Sequence, residues 1–140
     1  MKSINKNLGL LPTDNSDIEN IDLFLAKNKN KEVVVIQGLG FVGAVMSLIC
    51  SNSITNDYAV IGVDLPNKDT YWKIKSINDG VFPIKASDPK VEEYYLNAMK
   101  KGNLYATYDS YAYSIADTII IDINLDVKKE TDDQNTLLGY

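Results

Sequence analysis

The chain has 140 residues, and its 14 basic residues, all lysines, are outnumbered by 19 acidic residues, which gives a formal net charge of -5. This length accommodates one globular domain, and the acidic balance argues against a protein that binds nucleic acid along its phosphates. With no His and one Cys, the sequence excludes histidine relays, histidine-ligated metal ions, four-cysteine zinc sites and internal disulfides. We therefore predict no metal site.

Residues 1–31 are predicted to be an N-terminal extension with one short helix. Ser16 or Asp17 is a suitable N-cap, and lysines follow at the C-terminal end, where positive charge suits the helix dipole. The apolar side chains that fall on one helical face are Ile18, Ile21 and Leu25. We expect this helix to dock on the domain or on a second copy of the chain; a membrane or regulatory role is the alternative.

Residues 32–127 are predicted to alternate strands with helices. The predicted strands are Val33–Ile36, Ala59–Val63, Leu104–Thr107 and Thr118–Ile123, and the predicted helices are Phe41–Ser51, Tyr71–Asn78, Lys90–Lys101 and Ser110–Ala116. The first strand is a continuous β-branched run, which is typical of parallel strands buried on both faces. This alternation predicts an α/β fold, a Rossmann-like doubly wound parallel sheet of about four strands, with the N-terminal helix appended. Residues 128–140 form a polar tail that we expect to be disordered.

The apolar runs are far shorter than the roughly 20 residues that a membrane-spanning helix needs. The start of the chain lacks the apolar segment of a signal peptide, and a single Cys fits a reducing compartment. We therefore expect a cytoplasmic protein that does not insert into a membrane.

A Gly-x-Gly-x-x-Gly motif lies between the first predicted strand and the following helix. In such a motif Gly38 would allow the tight turn, Gly40 would let a diphosphate approach the backbone, and Gly43 would let the helix pack closely on the strand. The N–H groups at the start of the helix would then bind the phosphates. A purely structural glycine turn is the alternative.

The second predicted strand is followed directly by Asp64. A carboxylate at this point of a dinucleotide-binding fold accepts both ribose hydroxyls of the adenosine and repels a 2′-phosphate. The sequence therefore favours NAD over NADP, although Lys68 and Lys73 are near enough in sequence to weaken that preference.

Other residues have ordinary structural explanations beside a functional one. Cys50 is expected to pack in the core, and the nine tyrosines are expected to pack against helices rather than stack on bases. Trp72 could cover the edge of the adenosine pocket. Asp122 and Asp126 flank the end of the last strand, where they could bind a ligand or only cap and face solvent.

Three further motifs follow in order along the chain. Residues 73–84 read Lys-Ile-x-x-Ile-Asn-x-Gly-x-x-Pro-Ile, residues 102–109 read Gly-x-Leu-x-Ala-Thr-x-Asp, and residues 116–121 read Ala-Asp-x-Ile-Ile-Ile. Together with the glycine motif and Gly62-Val63-Asp64, this series resembles the N-terminal NAD-binding domain of the UDP-glucose/GDP-mannose dehydrogenase family, the nucleotide-sugar dehydrogenases. The segment 73–84 is the most specific part, because generic Rossmann domains do not share it.

The resemblance implies an NAD-dependent oxidoreductase that converts the C6 alcohol of a nucleotide sugar to a carboxylate for polysaccharide biosynthesis. It also implies a set of cofactor-binding residues at matching positions of the chain. These are Gly38, Leu39, Gly40, Phe41, Val42 and Gly43, with Asp64 at the adenine ribose and Lys73 as a cofactor-contacting lysine.

This sequence departs from the family pattern in three places. Residues 123–126 stand where the family carries a Thr-Pro pair whose threonine contacts NAD. Ala86 and Ser87 stand near the position of an acidic residue, with Asp88 as a possible substitute, and a few extra residues precede Lys73.

The resemblance also places the family's catalytic cysteine, catalytic lysine and UDP-sugar domain beyond this length. Cys50 cannot replace that cysteine, because it lies in the helix after the glycine motif. We therefore predict no catalytic residue in this chain, and we expect UDP-sugar binding only together with the missing C-terminal domain.

Two other functions remain open from the sequence. A regulatory NAD-sensing module, like the domains attached to potassium channels and transporters, shares the glycine motif and the acidic strand end, but residues 73–84 match the dehydrogenases. An S-adenosylmethionine methyltransferase shares the ribose-binding acid, but it typically lacks a glycine at the place of Gly43. A homo-oligomer is possible in each case.

Overall fold

A computed structural model describes residues 7–123, 130–131 and 137–138 of the chain. The main strands are β1 (Glu32–Gln37), β2 (Tyr58–Val63), β3 (Leu104–Thr107) and β4 (Thr118–Ile121), and the helices are α1 (Ile18–Lys27), α2 (Phe41–Ser51), α3 (Tyr71–Asn78), α4 (Pro89–Lys101) and α5 (Tyr111–Ser114). The four strands form one parallel sheet in the order β3-β2-β1-β4. This order reverses next to β1, so the carboxyl ends of β1 and its neighbours open a crevice at the switch point.

Apolar residues fill both faces of the sheet. On one face, side chains of α2, α3 and α4 pack against the strands around Leu48, Ile77 and Tyr95. On the other face, α1 and α5 pack against the strands around Ile21 and Ala112. The predicted doubly wound α/β fold is confirmed.

The predicted strands and helices lie where the sequence places them, with ends that differ by one or two residues. Val33–Ile36 is buried on both faces, as its continuous β-branched composition indicates. Helix α4 ends as expected at Gly102, which adopts a left-handed conformation with φ 69°. Strand β4 ends at Ile121 rather than Ile123, because its pairing with β1 stops at Gln37.

Strand β4 has the composition of a buried strand but lies at the edge of the sheet. Ile119 is 45% exposed and Ile121 is 65% exposed, whereas Ile120 packs against the core. Composition cannot distinguish an edge strand from a central strand, because strand order is a property of the tertiary fold.

The N-terminal helix α1 packs on the sheet with a face that only partly matches the predicted apolar face. Ile21 and Phe24 are its buried residues, whereas Ile18 is 40% exposed. Phe24 stacks on Tyr105 of β3 with the ring centroids 5.7 Å apart, and this contact turns the Phe24 side of the helix inwards. Of the three apolar residues predicted to share one helical face, Ile21 and Leu25 pack against the core and Ile18 does not.

Within the predicted polar tail, the structure describes a short antiparallel pair, β5 (Glu130–Thr131) with β6 (Leu137–Leu138). The rest of the predicted disorder falls outside the described residues. Of the helices described, none is both long enough and apolar enough to span a bilayer.

Candidate cofactor site

The glycine motif forms the turn from β1 to α2, and close packing requires two of its glycines. Gly38 has φ 99°, and a Cβ there would lie 1.9 Å from the carbonyl oxygen of Asp122, which follows β4. A Cβ at Gly43 would lie 2.0 Å from the carbonyl oxygen of Gly38. The turn, the helix and the end of β4 therefore approach more closely than any side chain would permit.

Gly40 differs, because a Cβ there would meet nothing within 4 Å. It is the N-cap of α2 and makes no side-chain cap hydrogen bond; the first hydrogen bond of the helix joins the N–H of Ala44 to the Gly40 carbonyl, at 2.9 Å. The N–H groups that precede Ala44 therefore lack acceptors within the helix. An open backbone surface with free donors at a helix N-terminus fits a diphosphate.

The neighbouring residues Phe41 and Val42 are exposed at this same end of α2, by 61% and 57%. Leu39 is different, because its side chain is fully buried and a Cβ on Gly62 would lie only 2.6 Å from it. Only the backbone of Leu39 therefore belongs to the surface of the turn.

Asp64 follows β2, and its side chain contacts the backbone of the glycine turn. Its Oδ2 accepts a hydrogen bond from the Leu39 N–H at 2.9 Å, and its Oδ1 accepts one from the Leu65 N–H at 2.8 Å. Each oxygen of an ionised carboxylate has a second acceptor position. The half-buried carboxylate is therefore held in place by backbone donors and can still accept two hydroxyl groups, which fits a ribose.

A crevice of about 300 Å³ opens beside Asp64, at the carboxyl ends of the strands. It is lined by Gln37, Gly38, Val63, Asp64, Leu65, Tyr108, Ser110, Tyr113 and Ile123. A larger hollow, of about 690 Å³, lies between α3 and α4 around Phe82 and shares no lining residue with the crevice. The crevice is the better candidate for the adenosine, because it contains the acidic end of β2.

The sequence did not single out Tyr108, Ser110 or Tyr113 as site residues. The expectation that tyrosines pack against helices holds for Tyr95, whose hydroxyl donates to the Ile77 carbonyl of α3, and for Tyr108, whose ring meets that of Tyr71 in α3 edge-on. Tyr108 and Tyr113 also line the crevice. Burial raises the pKa of Tyr113, and the nearby charge of Asp64 adds to this. One sequence feature could have indicated Tyr108, Ser110 and Tyr113 as site residues, namely their position just after β3. The carboxyl ends of parallel strands share one edge of the sheet.

Several other candidates lie away from the crevice. Lys73 is half-buried in the first turn of α3, and neither it nor Trp72 is among the lining residues described; the Trp72 Nε1–H donates to the carbonyl of Asp69 at 2.9 Å. Asp88 serves as the N-cap of α4, where its carboxylate accepts from the Lys90 N–H at 2.9 Å.

The remaining candidates have structural roles or lie outside the described residues. Cys50 is half-buried against the core, as expected, and burial raises the pKa of its thiol. The N–H of Asp122 donates to the Gln37 carbonyl at 2.8 Å, which fixes the end of β4 beside the glycine turn. Asp126 lies in the segment 124–129, outside the described residues.

A family model for the UDP-glucose/GDP-mannose dehydrogenase family, NAD binding domain, matches residues 31–137, which is more than half of the chain. The chain belongs to this family. NAD is therefore the cofactor of this domain, and both the resemblance and the cofactor predicted from the sequence are confirmed. The match begins at residue 31 and so excludes helix α1.

Two of the solved structures that match this chain illustrate the shared fold. One is an NDP-N-acetyl-D-galactosaminuronic acid dehydrogenase from Methanosarcina mazei Go1, with 21% identity and a TM-score of 0.61 over 80% of this chain and 22% of that chain. The other is a UDP-D-ManNAc dehydrogenase from Pyrococcus horikoshii, with 24% identity and a TM-score of 0.54 over 65% of this chain and 20% of that chain. This chain thus spans about a fifth of the length of each. No curated protein matches it significantly.

Proposed function

We propose that this chain holds NAD for the oxidation of the C6 alcohol of a nucleotide sugar to a carboxylate. Family membership supports the reaction class. The single observation that carries the site is the hydrogen bond from the Leu39 N–H to the Asp64 carboxylate, directly before the open Gly40.

In the proposed mode, Asp64 accepts the hydroxyls of the adenine ribose, and the N–H groups of Phe41, Val42 and Gly43 bind the diphosphate. NAD supplies the hydride acceptor of the reaction when it is bound. Because the Leu39 N–H donates to Asp64, the same hydrogen bond that orients the carboxylate also fixes the loop that would receive the phosphates. Ribose and phosphate recognition are therefore mechanically linked.

Oxidation also needs a positioned alcohol and a general base. The only carboxylate that lines the described crevice is Asp64, and it is already held by two backbone donors. We propose that the sugar nucleotide and the catalytic groups belong to a domain that this sequence does not contain. The expected location is the cytoplasm, because a single Cys suits a reducing compartment.

Calorimetric titration of the 140-residue chain with NAD, NADP and S-adenosylmethionine tests the cofactor site. NAD is expected to bind most tightly, because a carboxylate at Asp64 repels the 2′-phosphate of NADP. Tighter binding of NADP or S-adenosylmethionine would contradict the proposed site.

The proposal that the catalytic groups lie outside this chain needs a separate measurement. It is the absorbance of NADH in mixtures of the chain, NAD and UDP-glucose or GDP-mannose. We expect no turnover from this chain alone. Sustained NADH formation would mean that the catalytic groups lie within these 140 residues.

A further inference from the structure

The segment of residues 14–22, here called the N-terminal latch, is hydrogen-bonded to the end of β3. This segment precedes the family match, which begins at residue 31. Four of its residues, Asp14, Ser16, Asp17 and Asp22, bond to residues 105–111, so the contacts join positions about ninety apart in the sequence. The same stretch of chain supplies Tyr108 and Ser110 to the wall of the crevice.

The central contact of the latch is made by Asp17, which is 8% exposed. Its Oδ2 accepts hydrogen bonds from the Tyr105 hydroxyl at 2.6 Å and the Thr107 hydroxyl at 2.7 Å. Although Asp17 is the N-cap of α1, its side chain does not cap the helix. Its carboxylate instead binds the end of β3 through charge-assisted hydrogen bonds.

Thr107 connects Asp17 to Asp64, whose carboxylate is proposed to bind the ribose. Its carbonyl oxygen accepts a hydrogen bond from the N–H of Asp64 at 3.2 Å, and its hydroxyl accepts one from the N–H of Asp109 at 3.1 Å. One residue therefore separates Asp17 from the backbone of Asp64. A shift of Thr107 moves both Asp64 and the start of the crevice wall.

Asp109 closes the latch from the other side. Its Oδ2 accepts from the Asp17 N–H at 2.8 Å and from the Ser16 hydroxyl at 3.3 Å, and its Oδ1 accepts from the Tyr111 N–H at 2.9 Å. Burial raises the pKa of Asp109, but these hydrogen bonds together hold it below its ordinary value. Tyr108, between the two anchored residues, donates its hydroxyl to the carbonyl of Asp14 at 2.7 Å.

We propose that the N-terminal latch positions the adenosine side of the NAD site, with Asp17 as a positioning residue that acts through Thr107. This inference rests on the proposed NAD site at Asp64. It gives residues 14–22 a part in cofactor affinity, although no residue of the latch lines the described crevice. A latch that only stabilised the fold would leave affinity unchanged.

The variant Asp17→Asn tests the proposal against a matched control, Asn28→Ala. Asn28 fastens the other end of α1 by donating to the Phe24 and Gly102 carbonyls, both at 2.9 Å, at the end of β3 that is remote from the crevice. Both variants should lower the melting temperature. Only Asp17→Asn should weaken NAD binding, by about tenfold, and it should weaken AMP binding by the same factor because the loss lies on the adenosine side.

A double-mutant cycle separates positioning from general loosening. Thr107→Val removes the hydroxyl that donates to Asp17, and with it the acceptor of the Asp109 N–H. If Asp17 acts through Thr107, the double variant should lose about as much NAD affinity as Thr107→Val alone, instead of the product of the two losses. The proposal would be overturned if the losses of NAD affinity in the two single variants multiply in the double variant. It would also be overturned if Asp17→Asn binds NAD as the parent does.

Hydrogen exchange of the parent protein decides the question if the variants do not fold. Coupling between two sites is reciprocal, so NAD should slow amide exchange in α1 more than in α4, which lies on the opposite face. Equal slowing of amide exchange in both helices would overturn the proposed role of the latch. A parent protein that does not bind NAD at all would instead overturn the proposed function, so the two failures are distinguishable.

Discussion

Replacing Asp64 with alanine removes the acceptor proposed for the adenine ribose. In the parent protein, one backbone N–H occupies each carboxylate oxygen, which leaves one acceptor position on each for a ribose hydroxyl. Hydrogen bonds to a charged group contribute about 1.5–3 kcal/mol each, and a half-exposed carboxylate belongs at the low end of that range. Two such bonds give about 3 kcal/mol, so NAD affinity should fall by roughly 150-fold.

Calorimetry with both NAD and NADP provides the assay, because Asp64→Ala also leaves the N–H groups of Leu39 and Leu65 without their acceptor. If Asp64→Ala only damaged the loop, the affinities for NAD and NADP would fall by the same factor. Loss of ribose recognition should weaken NAD while NADP, freed from repulsion by the carboxylate, binds as well as before or better. The control is Asp69→Ala, which removes an exposed charge from the same loop and should leave both affinities unchanged. An unchanged ratio of NAD to NADP affinity would refute the ribose assignment.

Three further outcomes follow from the glycine turn and the buried tyrosines. Gly40→Ala should fold with an unchanged melting temperature, because its Cβ meets nothing within 4 Å, but calorimetry should find NAD affinity reduced at least about tenfold, since the methyl group blocks the diphosphate. Gly43→Ala should lower the free energy of unfolding in urea by about 1–3 kcal/mol, because its Cβ would overlap a backbone oxygen; an unchanged urea midpoint would contradict the packing of α2 on the turn. Burial raises the pKa of Tyr95 and of Tyr105 above the ordinary value of 10.0, so the folded state keeps protons that the unfolded state releases. The free energy of unfolding should therefore be unaffected at neutral pH and fall as the pH rises above 10, and a urea midpoint that stays constant across that range would count against the burial.

Local sequence signals determined the elements of this protein and predicted the centre of its candidate site. The β-branched run Val33–Ile36, the glycine turn and the acidic end of β2 at Asp64 each act over a few residues, so their consequences can be deduced without knowing the rest of the fold. The order of the segments then predicted the parallel sheet, because strands separated by helices leave few other topologies. Family membership confirms the cofactor that these signals indicated.

The tertiary structure alone decided which residues surround that centre. Tyr108 and Tyr113 reach the crevice only because β3 ends beside β2, and Ile119 is exposed only because β4 lies at the edge. Asp17 reads in the sequence as a helix cap, yet its carboxylate bonds to Thr107, 90 positions away. Such contacts depend on strand order and helix docking, which arise from the packing of the whole chain and leave no periodic trace in the residues that make them.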